Sequence, residues 1–171
     1  MKNFSLFIAV IFALSFASCS EPEKQAMVEV DVKAAVNENI KKYSFVWDEI
    51  MNKGKLDMFN DSNFTADVVM HASPTDVKGI DSARAYYANF LTGFSNIEFK
   101  ISDIFGQGDK LVKVWSFKGK HTGLFFGIPA SGKDVSIVGT TVVRMSNGKI
   151  AEEQDYFDNL EFFQQLGLIP R

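Results

Sequence analysis

The sequence predicts an α+β domain, on three observations: helical periodicity in the first half, period-two alternation in the second, and an Asn-Gly turn between the last two strands. Val36, Ile40, Tyr43, Trp47, Ile50 and Met51 recur at helical spacing between charged residues, which predicts an amphipathic helix over 30–53, stopped near Gly54. "FTADVVMHA" (Phe64 to Ala72) has a β-branched centre and reads as a strand. "SARAYYANFLTG" reads as a second helix, with Asp81 as its N-cap and Gly93 at its end. Then the period changes. Ile97, Phe99 and Ile101 share one face of a strand; Leu111, Trp115, Phe117 and His121 share one face of the next. "VSIVGTTVVRM" and "IAEEQDYFD" form a hairpin around Asn147-Gly148, both of which tolerate the positive φ of a type I′ turn. "NLEFFQQLGLIP" closes the chain as a short helix, with Asn159 as cap and Gly167 as stop. Helices laid on the concave side of a curved antiparallel sheet would enclose a pocket, and the 13 of 17 Phe residues that lie beyond Phe16 supply apolar walls for it.

The chain has 171 residues, and its N-terminus reads as a targeting segment. Lys2 precedes the uncharged apolar run Phe4 to Ala17, too short for a comfortable membrane span. Phe16-Ala17-Ser18-Cys19 resembles a bacterial lipobox and contains the chain's one cysteine. The expected division is a lipoprotein signal peptide at 1–18, a flexible tether at 19–27, and a single domain at 28–171. Cys19 would carry the lipid, placing the protein at the bacterial cell envelope. One cysteine allows no intrachain disulfide. Lys and Arg total 18 against 21 Asp and Glu, with no basic patch, which argues against nucleic acid.

"GIPASGKD" (127–134) has the Gly-x4-Gly-Lys frame of a phosphate-binding loop. Asp134 stands where that motif needs Ser or Thr, strand rather than helix follows Lys133, and Pro129 removes a backbone donor. The stretch is read as a hairpin linker, and nucleotide binding is rejected.

With its flanks the same stretch becomes more specific. His121-Thr122-Gly123, Gly127-Ile128-Pro129, Gly132-Lys133, Asn147-Gly148-Lys149-Ile150 and Gln165-Leu166-Gly167-Leu168, with "MNKGKLDMFNDSNFTADVVMH" upstream, resemble the SnoaL-like polyketide-cyclase, or ester cyclase, branch of the nuclear transport factor 2-like superfamily. The resemblance implies a cone-shaped barrel with an apolar cavity, homodimers formed through the outer sheet face, and an Asp on the last long strand, here Asp155, as acid–base group. Such a carboxylate would take a proton from carbon beside a carbonyl, and an apolar setting strengthens it as a base.

A two-residue turn at Asn147-Gly148 puts Asp155 opposite Thr140, on a face with Val138, Val142 and Phe157. Arg144 and Glu153 would then form a cross-strand ion pair. His121 is the expected assistant to Asp155, against a structural reading as a strand-end residue holding the next loop. His71, at the end of the first strand, is the other candidate pocket imidazole, against a reading as an ordinary strand-end histidine. Tyr43, Trp47, Tyr87 and Phe90 from the helices, with Trp115, Phe117 and Thr140 from the sheet, are the expected pocket walls. Two histidines without nearby cysteines make no metal motif, so neither metal nor cofactor is expected. Two functions of different class follow: a cyclase or isomerase acting on an apolar carbonyl compound, and an envelope lipoprotein that binds a hydrophobic small molecule without turning it over.

Overall fold

The computed structural model describes residues 21–170, with side chains from residue 31 onward. The expected signal peptide at 1–18 and Cys19 lie outside the described residues. Helix α1 runs from Glu21 to Lys53 and so takes in residues 21–27, assigned to the tether by composition. Pro22 falls in its first turn, where a missing N–H leaves no helical bond unmade. The expected stripe is the buried one, with Tyr43, Val46, Trp47 and Ile50 almost fully enclosed. Gly54 (φ 68°) ends the helix, and the Lys55 N–H reaches back to the Glu49 carbonyl at 3.1 Å. That backward reach uses the left-handed residue that glycine supplies.

Six strands follow or interleave: β1 (Phe64–His71), β2 (Val77–Lys78), β3 (Phe94–Gln107), β4 (Lys110–His121), β5 (Asp134–Ser146) and β6 (Lys149–Phe157). Helix α2 (Ile80–Gly93) precedes β3 and α3 (Asn159–Leu166) closes the chain. Two caps differ from expectation. Gly79 stands at the cap of α2, while Asp81 lies inside the helix and pairs with Arg84 at 2.7 Å. Asp158, not Asn159, caps α3 by accepting the Glu161 N–H at 2.9 Å.

The strand order is β2-β1-β6-β5-β4-β3. Strands β3 to β6 make the expected antiparallel meander, but β1 joins β6 in parallel, so the sheet is mixed rather than wholly antiparallel. The edge strands β2 and β3 are not bonded to each other, so the sheet stays open. Helix α1 packs on β3, α2 on β1 and α3 on β5. The 122–133 stretch is the linker between β4 and β5, with strand directly after Lys133, as the rejection of a phosphate loop required.

The β5–β6 hairpin carries the largest correction. Asn147 (φ 49°) and Gly148 (φ 71°) form the expected turn, and Met145 pairs with Ile150. Arg144 then pairs with Glu152, leaving Ala151 as an extra residue. This bulge moves the register by one, and one residue flips every later side chain to the other face. Asp155 therefore pairs with Thr141, not Thr140, which sits opposite Tyr156. Val138 and Val142 point outward, 72% and 43% exposed, and Arg144 pairs with Glu152 instead of Glu153.

Candidate active site

Between α1, α2 and the inner sheet face lies an apolar chamber of about 50 Å³, walled by Trp47, Tyr87, Phe90, Trp115 and Phe117 among others. Outside it lies a bowl of about 410 Å³, with His71 and Tyr86 on its rim. Tyr87, Phe90, Asp155 and Phe157 line both spaces. Asp155 thus stands where an apolar interior meets a solvated mouth.

A chain of donors orients that carboxylate. The Thr141 hydroxyl donates to Asp155 Oδ1, the Tyr87 hydroxyl approaches Oδ2 at 3.5 Å, and Trp115 Nε1 donates to Thr141 Oγ1 at 2.9 Å. Burial, then the Asp155 charge, raises the Tyr87 pKa well above the usual phenol range, so Tyr87 remains a donor. Trp115 fits because its neighbour on β5 is Gly139, where an added Cβ would stand 2.4 Å from the indole. Gly139→Ala is expected to cost about 1–3 kcal/mol by displacing that ring. Urea midpoints of the two proteins measure it, and equal midpoints would show that the indole moves freely.

One turn of the strand away is a second acid. Glu153 is 2% exposed and faces inward because of the bulge. Its Oε1 accepts from the Tyr43 hydroxyl and from Trp47 Nε1 (3.0 Å), while Oε2 is buried with no partner. Burial pushes its carboxyl up to about 7; Lys113 opposes the rise and Asp155 adds to it. Lys113, 3% exposed on β4, lines the chamber with its Nζ 4.8 Å from the centre of the Trp47 ring and 5.2 Å from those of Tyr43 and Phe99. Burial pulls its ammonium below the usual lysine range, against the pull of Glu153 and Asp155.

A family model for the SnoaL-like polyketide cyclases matches residues 42–166. The chain belongs to the SnoaL-like polyketide cyclase family. Among solved structures it resembles a protein from Jannaschia sp. CCS1 assigned to the SnoaL-like polyketide cyclases, at 22% identity and TM-score 0.68, covering 78% of this chain and 94% of that one. A protein from Bacillus cereus ATCC 10987 assigned as a polyketide cyclase matches at 26% identity and TM-score 0.64, over 77% and 82% of the two chains. AclR from Streptomyces galilaeus, assigned as a hydroxylase, matches at 18% and 0.67, over 79% and 99%. No curated protein matched. The fold is therefore shared by proteins assigned to different reactions, and the chemistry must be argued from the site.

In this SnoaL-like chain the expected site residues do not all come together. Trp47, Tyr87, Phe90, Trp115, Phe117 and Asp155 come together at the chamber. Tyr43 lies behind it, fully buried, and holds Glu153. His121 lines neither the chamber nor the bowl. It is fully buried beside Phe94 and Phe125, and its Nδ1 accepts the Ser131 N–H at 3.3 Å. Its backbone is tied to Gly132 and Lys133, so the geometry matches the loop-holding reading. His121→Phe keeps a ring but removes the acceptor; a loss of about 1–3 kcal/mol is expected. Limited proteolysis should then cut faster within 122–133, and unchanged cutting would contradict the anchor role. His71 sits on the bowl's rim with Nδ1 3.2 Å from Asp76 Oδ1. Among the described residues no cluster of three or more His, Cys, Asp or Glu could hold a metal ion.

Lys113 and Glu153 were missed for different reasons. Lys113 lies midway between Leu111 and Trp115, so strict alternation already placed it on the inner face. Glu153 was hidden by the Ala151 bulge, which no residue at that position announces.

Proposed function

We propose that this protein is an ester cyclase- or isomerase-type member of its family, acting on an apolar carbonyl-containing small molecule. Asp155 is the general base. The supporting observation is its place at the junction of chamber and bowl, held by Thr141. A substrate whose carbonyl end enters the chamber would bring its adjacent carbon past Asp155, with its bulk in the bowl. The base takes that carbon's proton and the resulting enolate attacks a second carbonyl or reprotonates elsewhere. Glu153, whose carboxyl burial pushes up to about 7, lines the bowl with Asp155 and is placed to supply a proton there. Attachment through Cys19 at the bacterial envelope belongs to the same reading and rests on the leader-like residues 1–18.

The test uses a slow-exchanging apolar ketone, phenylacetone, in D2O, followed by proton NMR. Exchange catalysed by the wild type and lost in Asp155→Asn supports the base assignment. Exchange equal in both proteins removes it. The small inner volume favours a second reading, a binding protein without turnover. That reading expects ketone binding with no catalysed exchange in either protein.

A further inference from the structure

Lys113 is the chamber group to which acid–base chemistry assigns no task. It projects from β4 on a face shared with Leu111, Trp115 and Phe117. Its Nζ lies against the Trp47, Tyr43 and Phe99 rings, which cannot take its proton. Among the described residues no carboxylate comes within ion-pair distance of it. Glu153 lines the bowl and faces Lys113 across Tyr43 and Trp47: both rings lie under the Lys113 Nζ and both donate to Glu153 Oε1, while its buried Oε2 is open to a proton. In an apolar interior, a neutral amine and a neutral acid are favoured over two separated ions.

We propose that Lys113 is a nucleophilic amine that forms a Schiff base with an aldehyde or ketone entering the chamber, with Glu153 as its proton partner. The inference rests on the reading of the chamber as a carbonyl-compound site, and adds a covalent mode to it. The Nζ lone pair forms a bond to the carbonyl carbon, and the carbonyl oxygen takes the Glu153 proton. The ammonium nitrogen of that adduct returns a proton to Glu153. The hydroxyl then leaves as water, again with the Glu153 proton, as the nitrogen lone pair closes the C=N bond. One water is released per iminium, Glu153 is left as the carboxylate facing it, and nothing is oxidised or reduced. The chamber's about 50 Å³ admits the carbonyl end of a ligand, and the bowl receives the remainder. A cationic iminium there would gain from the same three rings that now face the amine.

Reductive trapping tests this directly. The folded protein is treated at pH 7 with propanal and cyanoborohydride, and peptide mass mapping reads the alkylation of each lysine. Lys113 is expected to label several-fold faster than the surface lysines, since burial lowers its pKa and leaves more of it as free amine at pH 7. Labelling spread over surface lysines with Lys113 untouched overturns the proposal. The wild-type map decides it without any variant, and Lys113→Arg should erase that one site. Trapping without catalysed ketone exchange would sink the base assignment alone; exchange without trapping would sink the Schiff base alone.

Discussion

Asp155→Asn is expected to lower ketone α-proton exchange by about 10²–10⁴-fold, the usual contribution of a positioned general base. The fold should barely notice. The side chain is exposed at the junction, where water can solvate an amide as well as a carboxylate. An amide oxygen can still accept from Thr141, while the 3.5 Å approach of Tyr87 is too long to contribute much. The change in unfolding free energy should stay within about 1 kcal/mol. Rate and stability together are decisive. A stable variant with collapsed exchange assigns chemistry to Asp155, whereas a variant that unfolds easily but still exchanges assigns it a structural role and refutes the mechanism.

The second large effect is a loss of stability between pH 4.5 and about 7, from Glu153. The folded protein holds this carboxyl's proton more tightly than the unfolded chain, since burial raises its pKa from 4.5 to about 7. Below 4.5 both states are protonated there, and the contribution is fully present. As pH rises through about 7 the buried group must ionise and the contribution is lost. At 1.36 kcal/mol per unit the upper bound is about 3 kcal/mol. Glu153→Gln keeps an oxygen for Tyr43 and Trp47 but cannot ionise, so its stability should stay flatter across that range. Urea denaturation at pH 5 and pH 8 measures the slope. Equal slopes in wild type and variant would show that Glu153 ionises without penalty.

Patterns repeated over many residues were legible in the sequence. The inner stripe of α1, the Gly54 stop, the Asn147-Gly148 turn and the meander each rest on several consistent positions, so one irregularity does not erase them. The site depends on strand phase, which one residue can change. Asp155 and the aromatic walls were found, but Thr140 was taken for Thr141 because Ile150 and Ala151 are both buried and the extra residue leaves no polar mark. The parallel pairing of β1 with β6 was equally unmarked, since a partner strand far away in sequence leaves no local signal. His121 has the composition of a catalytic residue and the surroundings of a loop anchor. Only the enclosure by Phe94 and Phe125 separates the two.

The Ala151 bulge makes the chemistry of the inner wall a matter of phase. In Glu152-Glu153-Gln154-Asp155, the present register turns Glu153 and Asp155 toward the bowl and gives Glu152 to Arg144. Pairing Ala151 into the ladder opposite Arg144 would turn Glu152 and Gln154 inward and send Glu153 and Asp155 outward, with no acidic side chain altered. Deleting the extra residue would instead leave every later pairing in place. Relatives that keep every acidic residue but close this bulge without losing a residue would share a composition and present different acids on the inner face.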